Sequence, residues 1–141
     1  MRQRVLVCGD RDWDDPDFIE AVIRYHLSVV RIDPLIHGAA PGADSMADEI
    51  AKKLGITRLP FHAEWKVYGG HAGPRRNRIM LHEGVPDLNY AFHDSLIGTS
   101  RGTRHMVRLT LEAEVPTILF HHGTTRDQWL CRYPTLEEVV W

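Results

Sequence analysis

Cysteine is scarce. Cys8 lies in an apolar run and Cys131 near the far end, with no C-x-x-C spacing, which excludes a disulfide framework or a zinc ribbon as the basis of the fold. Long hydrophobic runs are missing as well: none approaches the ~18 residues needed to span a bilayer. The opening Met1-Arg2-Gln3-Arg4 leads straight into a short apolar run, so a cytoplasmic protein without a membrane partner is expected. An excess of one charge is also lacking. Lys and Arg number 17 against 19 Asp and Glu, a net charge of -2. That leaves no broad basic face for nucleic acid, so nucleic acid is not the expected partner and any phosphate site must be local. The motifs G-x-G-x-x-G, G-x-x-x-x-G-K-S/T and H-E-x-x-H are absent too, which disfavours a conventional dehydrogenase, a P-loop enzyme and a zinc peptidase.

What is present is the composition of an ordinary globular domain. The 141 residues, 43% hydrophobic and 26% charged, contain no repeat, low-complexity tract or linker, and a single domain over 1–141 is expected. Val5-Leu6-Val7-Cys8 is a continuous apolar run stopped by Gly9, the mark of a parallel strand buried on both faces. Apolar residues then recur at helical spacing from Phe18 to Val30, after an Asp14-Asp15-Pro16 start signal. Leu35-Ile36-His37 reads as a second strand and Ala43 to Leu54 as a helix ended by Gly55. Thr57 to Phe61 contains Pro60 and reads as an edge strand. A loop from Glu64 to Gly73, a basic helix from Pro74 to about His82, a strand Leu88 to Phe92, a helix Thr103 to Glu114 and a strand Thr117 to Phe120 complete the pattern. Leu136, Val139 and Val140 suggest a last docked half-turn. Five strands alternating with four helices predict an α/β, Rossmann-like three-layer domain with a five-stranded parallel sheet in the order 3-2-1-4-5. The ligand crevice then opens where strands one and four part.

Small residues collect at the edge where that crevice falls. Gly9-Asp10-Arg11 follows the first strand, Gly38-Ala39-Ala40-Pro41-Gly42-Ala43-Asp44 the second, and Gly98-Thr99-Ser100-Arg101-Gly102-Thr103 the fourth. Glycine lets backbone approach a ligand, and a loop entering a helix offers unpaired N–H groups and the positive end of a dipole. Tight turns need glycine anyway, but three such loops at one edge favour a phosphate or ribose site. Gly73-Pro74-Arg75-Arg76-Asn77-Arg78 sets cations in what reads as the first turn of a helix, where the dipole opposes them, so an anion is expected beside Arg76 and Asn77. Asp44 either caps its helix or accepts from a ribose hydroxyl. Trp65 and Tyr68 either stack on a base or pack as a lid. Nine histidines are scattered without ligand spacing, so no metal is expected, and Cys8 inside a strand is a packing residue.

These motifs give the chain a resemblance to the YspA-like (YAcAr) branch of the SLOG superfamily, the Rossmann-like group that includes the LOG phosphoribohydrolases and the DprA proteins. The likeness runs from Val5 to about Phe120. Val7-Cys8-Gly9-Asp10-Arg11-Asp12-Trp13 is similar to GSRDW, and His37 to Asp44 is close to HGGARGAD. Trp65 with Gly73-Pro74-Arg75-Arg76-Asn77-Arg78-Ile79-Met80-Leu81 resembles W…GPxRNxxML, and Gly102-Thr103 falls in a GT-containing segment.

The resemblance implies a nucleotide-related ligand, since members either cleave nucleoside monophosphates at the N-glycosidic bond or sense NAD-derived and cyclic nucleotide signals. The ligand-binding residues expected are Gly9, Asp10, Arg11, Gly38, Gly42, Asp44, Trp65, Arg76, Asn77, Gly102 and Thr103. Two departures bear on activity. The hydrolases' glutamate, three residues after the threonine, is Met106 here, and Ser100-Arg101 replaces their glycine pair. Asp10 stands where serine is usual and favours ribose hydroxyls. The expectation is a protein that senses or sequesters an ADP-ribose or cyclic ADP-ribose type of ligand, with no cofactor and with effector functions on a separate partner. A nucleotide hydrolase using Asp10, Asp12 or Asp44 is the alternative, and a homodimer or higher homo-oligomer is left open.

Overall fold

The computed structural model describes residues 1–96, 101–124 and 135. Five parallel strands, β1 (Arg2–Gly9), β2 (Arg31–His37), β3 (Arg58–Pro60), β4 (Leu88–Phe92) and β5 (Thr117–Phe120), lie in the order β3-β2-β1-β4-β5. The expected α/β Rossmann-like sheet is therefore present, with Pro60 in an edge strand as anticipated. The helices are α1 (Pro16–Leu27), α2 (Ala43–Lys53), α3 (Trp65–Tyr68), α4 (Ala72–Gly84) and α5 (Arg101–Glu112), with a 3-10 turn over Gly69–His71. None of the described helices is long and apolar enough to cross a membrane.

Alternation along β1 divides the core. Val5 and Val7 point into a layer with Ile19, Val22 and Ile23 of α1 and Ala43, Ala47 and Ile50 of α2. Leu6 and Cys8 point the other way, onto Met80 of α4 and Met106 and Val107 of α5. Both faces of the central strand are thus covered, which is why its sequence is apolar throughout rather than alternating. The start of α1 follows its signal: Asp15 accepts from the Phe18 N–H at 3.1 Å and Pro16 occupies the first turn.

Several boundaries differ from the sequence reading: α1 ends at Leu27 rather than Val30, and α5 runs Arg101–Glu112 rather than Thr103 to Glu114. β2 begins at Arg31, four residues early, because the strand continues through Pro34 at an irregularity in its register with β1. Part of the loop after Glu64 winds into the single turn α3, too short for periodicity to reveal. Finally α4 starts at Ala72, so Pro74 is its third residue and the arginines fall later than the sequence placed them. Gly98, Thr99, Ser100, Cys131, Leu136, Val139 and Val140 lie outside the described residues.

Candidate functional site

At the carboxyl ends of the strands a cleft of about 260 Å³ opens between β1 and β4. Its lining brings together Gly9, Asp10, Arg11, Asp44, Arg76, Asn77, Gly102 and Thr103, eight of the residues expected there. Cys8, Asp12, Ala40, Met80 and His93 complete it. The cleft sits where the sheet order reverses, so adjacent loops diverge and leave a gap.

Three of the expected glycines are small for the protein's own packing. A Cβ on Gly9 would meet the Phe92 carbonyl and, at 2.7 Å, Ala43 Cβ. Gly42, with φ +78°, lies against the carbonyl oxygens of Asp10 and Arg11 and leads into α2. Gly38 lies under the Arg76 guanidinium, 2.8 Å from Nη1 to an added Cβ. Gly38 and Gly42 therefore shape the cleft from behind its lining.

The loop between β2 and α2 fills its own anion position. Asp44 Oδ2 accepts from the N–H groups of Gly38 at 3.0 Å and Ala40 at 3.2 Å. The carboxylate is 5% exposed, and burial pushes its pKa up against the pull of the Ala40 N–H, His37 and Arg76. His37 closes the same loop: its Nδ1 accepts from the Ala39 N–H at 3.0 Å, and its Nε2 meets Asp48 at 2.8 Å.

Arg76 reaches across from α4. It donates through Nη1 to the Gly38 carbonyl and through Nε, at 2.9 Å, to Asn77 Oδ1. The first-turn placement expected from the sequence is corrected: the helix begins two residues earlier, and the Arg76 side chain bridges α4 to the loop after β2. Burial works against its charge and Asp44 supports it. Arg78 is exposed and absent from the lining, while Arg75 packs over the Tyr68 ring at 4.4 Å. Buried Asn77 turns its amide to the Gly102 carbonyl at 3.3 Å and His105 Nδ1 at 3.1 Å, tying α4 to α5.

At the opposite wall, Asp10 Oδ1 accepts from the Asp12 N–H at 2.9 Å, and Oδ2 stands 3.9 Å from His93 Nε2. Burial lowers the His93 pKa against the influence of Asp10 and Asp94. His93 was not singled out by the sequence reading. The available signal was position, since it follows β4 directly as Asp10 follows β1. Trp65 is half exposed at the rim, with the Arg11 guanidinium 5.7 Å above its ring and its edge 3.3 Å from where a Gly73 Cβ would stand. Met106, at the position of the hydrolases' glutamate, is buried in the core and absent from the lining.

Comparison with known proteins agrees with this architecture. The YspA, cpYpsA-related SLOG family matches residues 3–68. The Gene 61 protein of Mycobacterium phage D29 is 34% identical over 125 residues, 84% of this chain and 96% of that protein. DNA processing protein A (DprA) from Streptococcus pneumoniae has a similar fold, with a TM-score of 0.63 over 90% of this chain at 16% identity. This chain spans 53% of that one, about half its length, and the likeness is one of fold. With four ordered motifs on the page and a phage relative aligned over nearly its whole length, the chain belongs to the YspA, cpYpsA-related SLOG family.

Proposed function

We propose that the cleft binds a phosphate-bearing nucleotide or NAD-derived ligand, of the ADP-ribose or cyclic ADP-ribose type, and that the protein senses or sequesters it. The observation carrying this reading is the pairing of opposite chemistries in one small space. Arg11 and Arg76 offer donors for phosphate, and Asp10 and Asp12 offer acceptors for hydroxyls. A sugar phosphate presents both. The volume lies just below the roughly 300–1,000 Å³ of drug-sized sites, so the ribose phosphate fills the cleft and a larger ligand continues over Arg11 and Trp65.

Binding is favoured over cleavage because Met106 faces the core. For the alternative hydrolase, Asp10 beside His93 is the best placed acid, since both N–H partners of Asp44 commit that carboxylate to the loop. A role on DNA is not favoured by a net charge of -2.

The test is a thermal-shift and calorimetric panel of AMP, NAD, ADP-ribose and cyclic ADP-ribose. A ligand at 100 times its Kd adds about 2.7 kcal/mol to stability, so melting should rise clearly for at least one. No response to any of them at millimolar concentration would overturn the reading.

A further inference from the structure

We propose that Asp10 and His93 form a donor and acceptor pair that reads one ribose hydroxyl, making the cleft selective for ribonucleotides over a deoxy analogue. This rests on the nucleotide reading above and deepens it. Gly9 and Phe92 are register partners at the ends of β1 and β4, and Asp10 and His93 are the next residue on each strand. Their backbones are fixed by the sheet: Asp10 N–H donates to the Phe92 carbonyl at 2.8 Å and His93 N–H to the Phe120 carbonyl at 3.0 Å.

The side chains are fixed as well. His93 Nδ1 accepts from the Ser95 N–H at 3.1 Å. In the neutral imidazole the proton therefore sits on Nε2, the nitrogen facing Asp10. Asp10 Oδ1 is held by the Asp12 N–H, which aims Oδ2 back at His93. The 3.9 Å between Nε2 and Oδ2 is too long for a direct hydrogen bond. One oxygen placed about 2.8 Å from each atom spans it, and that oxygen must accept from Nε2–H and donate to the carboxylate. A hydroxyl does both, whereas a phosphate oxygen has no proton to give.

AMP, 2′-deoxyAMP and 3′-deoxyAMP titrated calorimetrically at pH 7.5 separate the possibilities. One of the two deoxy compounds should bind roughly tenfold to a hundredfold more weakly than AMP, the usual effect of losing a hydrogen bond to a charged group. In Asp10→Asn, which can keep the bond to Asp12 while turning an N–H donor toward His93, AMP should fall to the level of that analogue. His93→Ala should level the two in the same way, with melting temperatures confirming that both variants fold. Equal binding of AMP and both analogues, or discrimination that survives Asp10→Asn, overturns the hydroxyl assignment alone. Binding of none of the three overturns the hydroxyl assignment for mononucleotides, and the nucleotide reading falls with it only if NAD, ADP-ribose and cyclic ADP-ribose also fail to bind.

Discussion

The Arg76 guanidinium donates to the carbonyl oxygen of Gly38, joining α4 to the loop after β2 within electrostatic reach of the buried carboxylate of Asp44. One side chain thus serves both the fold and the cleft, and substitution at the two ends of the contact should separate these roles. In Gly38→Ala the atoms nearest the new Cβ belong to the guanidinium end of Arg76, which can swing aside. Stability should change by less than about 1 kcal/mol, while AMP affinity falls roughly tenfold or more. Arg76→Ala should lose the same affinity and also cost about 1–3 kcal/mol, because Asp44 keeps its burial without its cation. Calorimetric titration and urea denaturation measure the two quantities. Unchanged affinity in both variants would leave Arg76 with a structural role only.

His122 should stabilise the fold at low pH rather than high. Its imidazole stacks on Trp13 at 4.0 Å, with Nδ1 2.7 Å from Asp94 and Nε2 2.9 Å from Asp14. The bond to Asp94 leads in raising its pKa above the usual 6.5, helped by Asp14. The folded state therefore holds the proton more tightly. Its contribution is full below pH 6.5 and disappears as pH rises through the folded value. His122→Gln should lower the melting temperature more at pH 6 than at pH 8.5, and an equal loss at both would rule the ion pairs out as the cause.

His105 should act in the opposite sense. Burial, with Arg78, Arg108 and Arg76 nearby, lowers its pKa from 6.5 to about 4. Protonation would also remove the acceptor of the Asn77 amide. The unfolded chain takes up the proton first, so stability present above pH 6.5 is lost as pH falls toward 4. Urea midpoints at pH 7, 5.5 and 4.5 should show a shallower decline in His105→Gln than in the parent protein.

Restoring the hydrolases' acid should damage the protein instead of activating it. Met106 is 1% exposed in the layer formed with Leu6, Cys8, Met80 and Val107. Met106→Glu buries a carboxyl group with no partner there, at a cost of several kcal/mol. A large fall in melting temperature without release of adenine from AMP is expected. Adenine release by a well-folded variant would show that α5 can turn this position into the cleft.

The fold was legible because its signals are local and repeated. The apolar run at Val5 to Cys8, the Asp15-Pro16 start and the small-residue loops each follow from short-range chemistry, and strand and helix alternation then restricts the topology. The cleft was legible to the extent that loop ends mark a sheet's edge. What each residue does there depends on partners far away in sequence. Nothing local says that Gly9 is small for Ala43, or that Asp44 is committed to two backbone donors. His93 stayed hidden among nine histidines because its value lies in standing next to Asp10, 83 residues earlier in the chain. A buried polar chain from Asn89 through Thr110 to Thr117, with bonds of 3.1 and 2.9 Å, was hidden for the same reason.

The carboxylate lodged in the loop after β2 also affects how a ligand arrives. With Asp44, Asp10 and Asp12 set against Arg11 and Arg76, the cleft carries three acids and two guanidiniums. Their fields largely cancel beyond the Debye length, about 8 Å at physiological salt. An approaching polyanion is therefore not steered from a distance and feels the arginines only on contact. Its association rate should vary little between low and high ionic strength, and discrimination among nucleotides should reside in how long each stays bound.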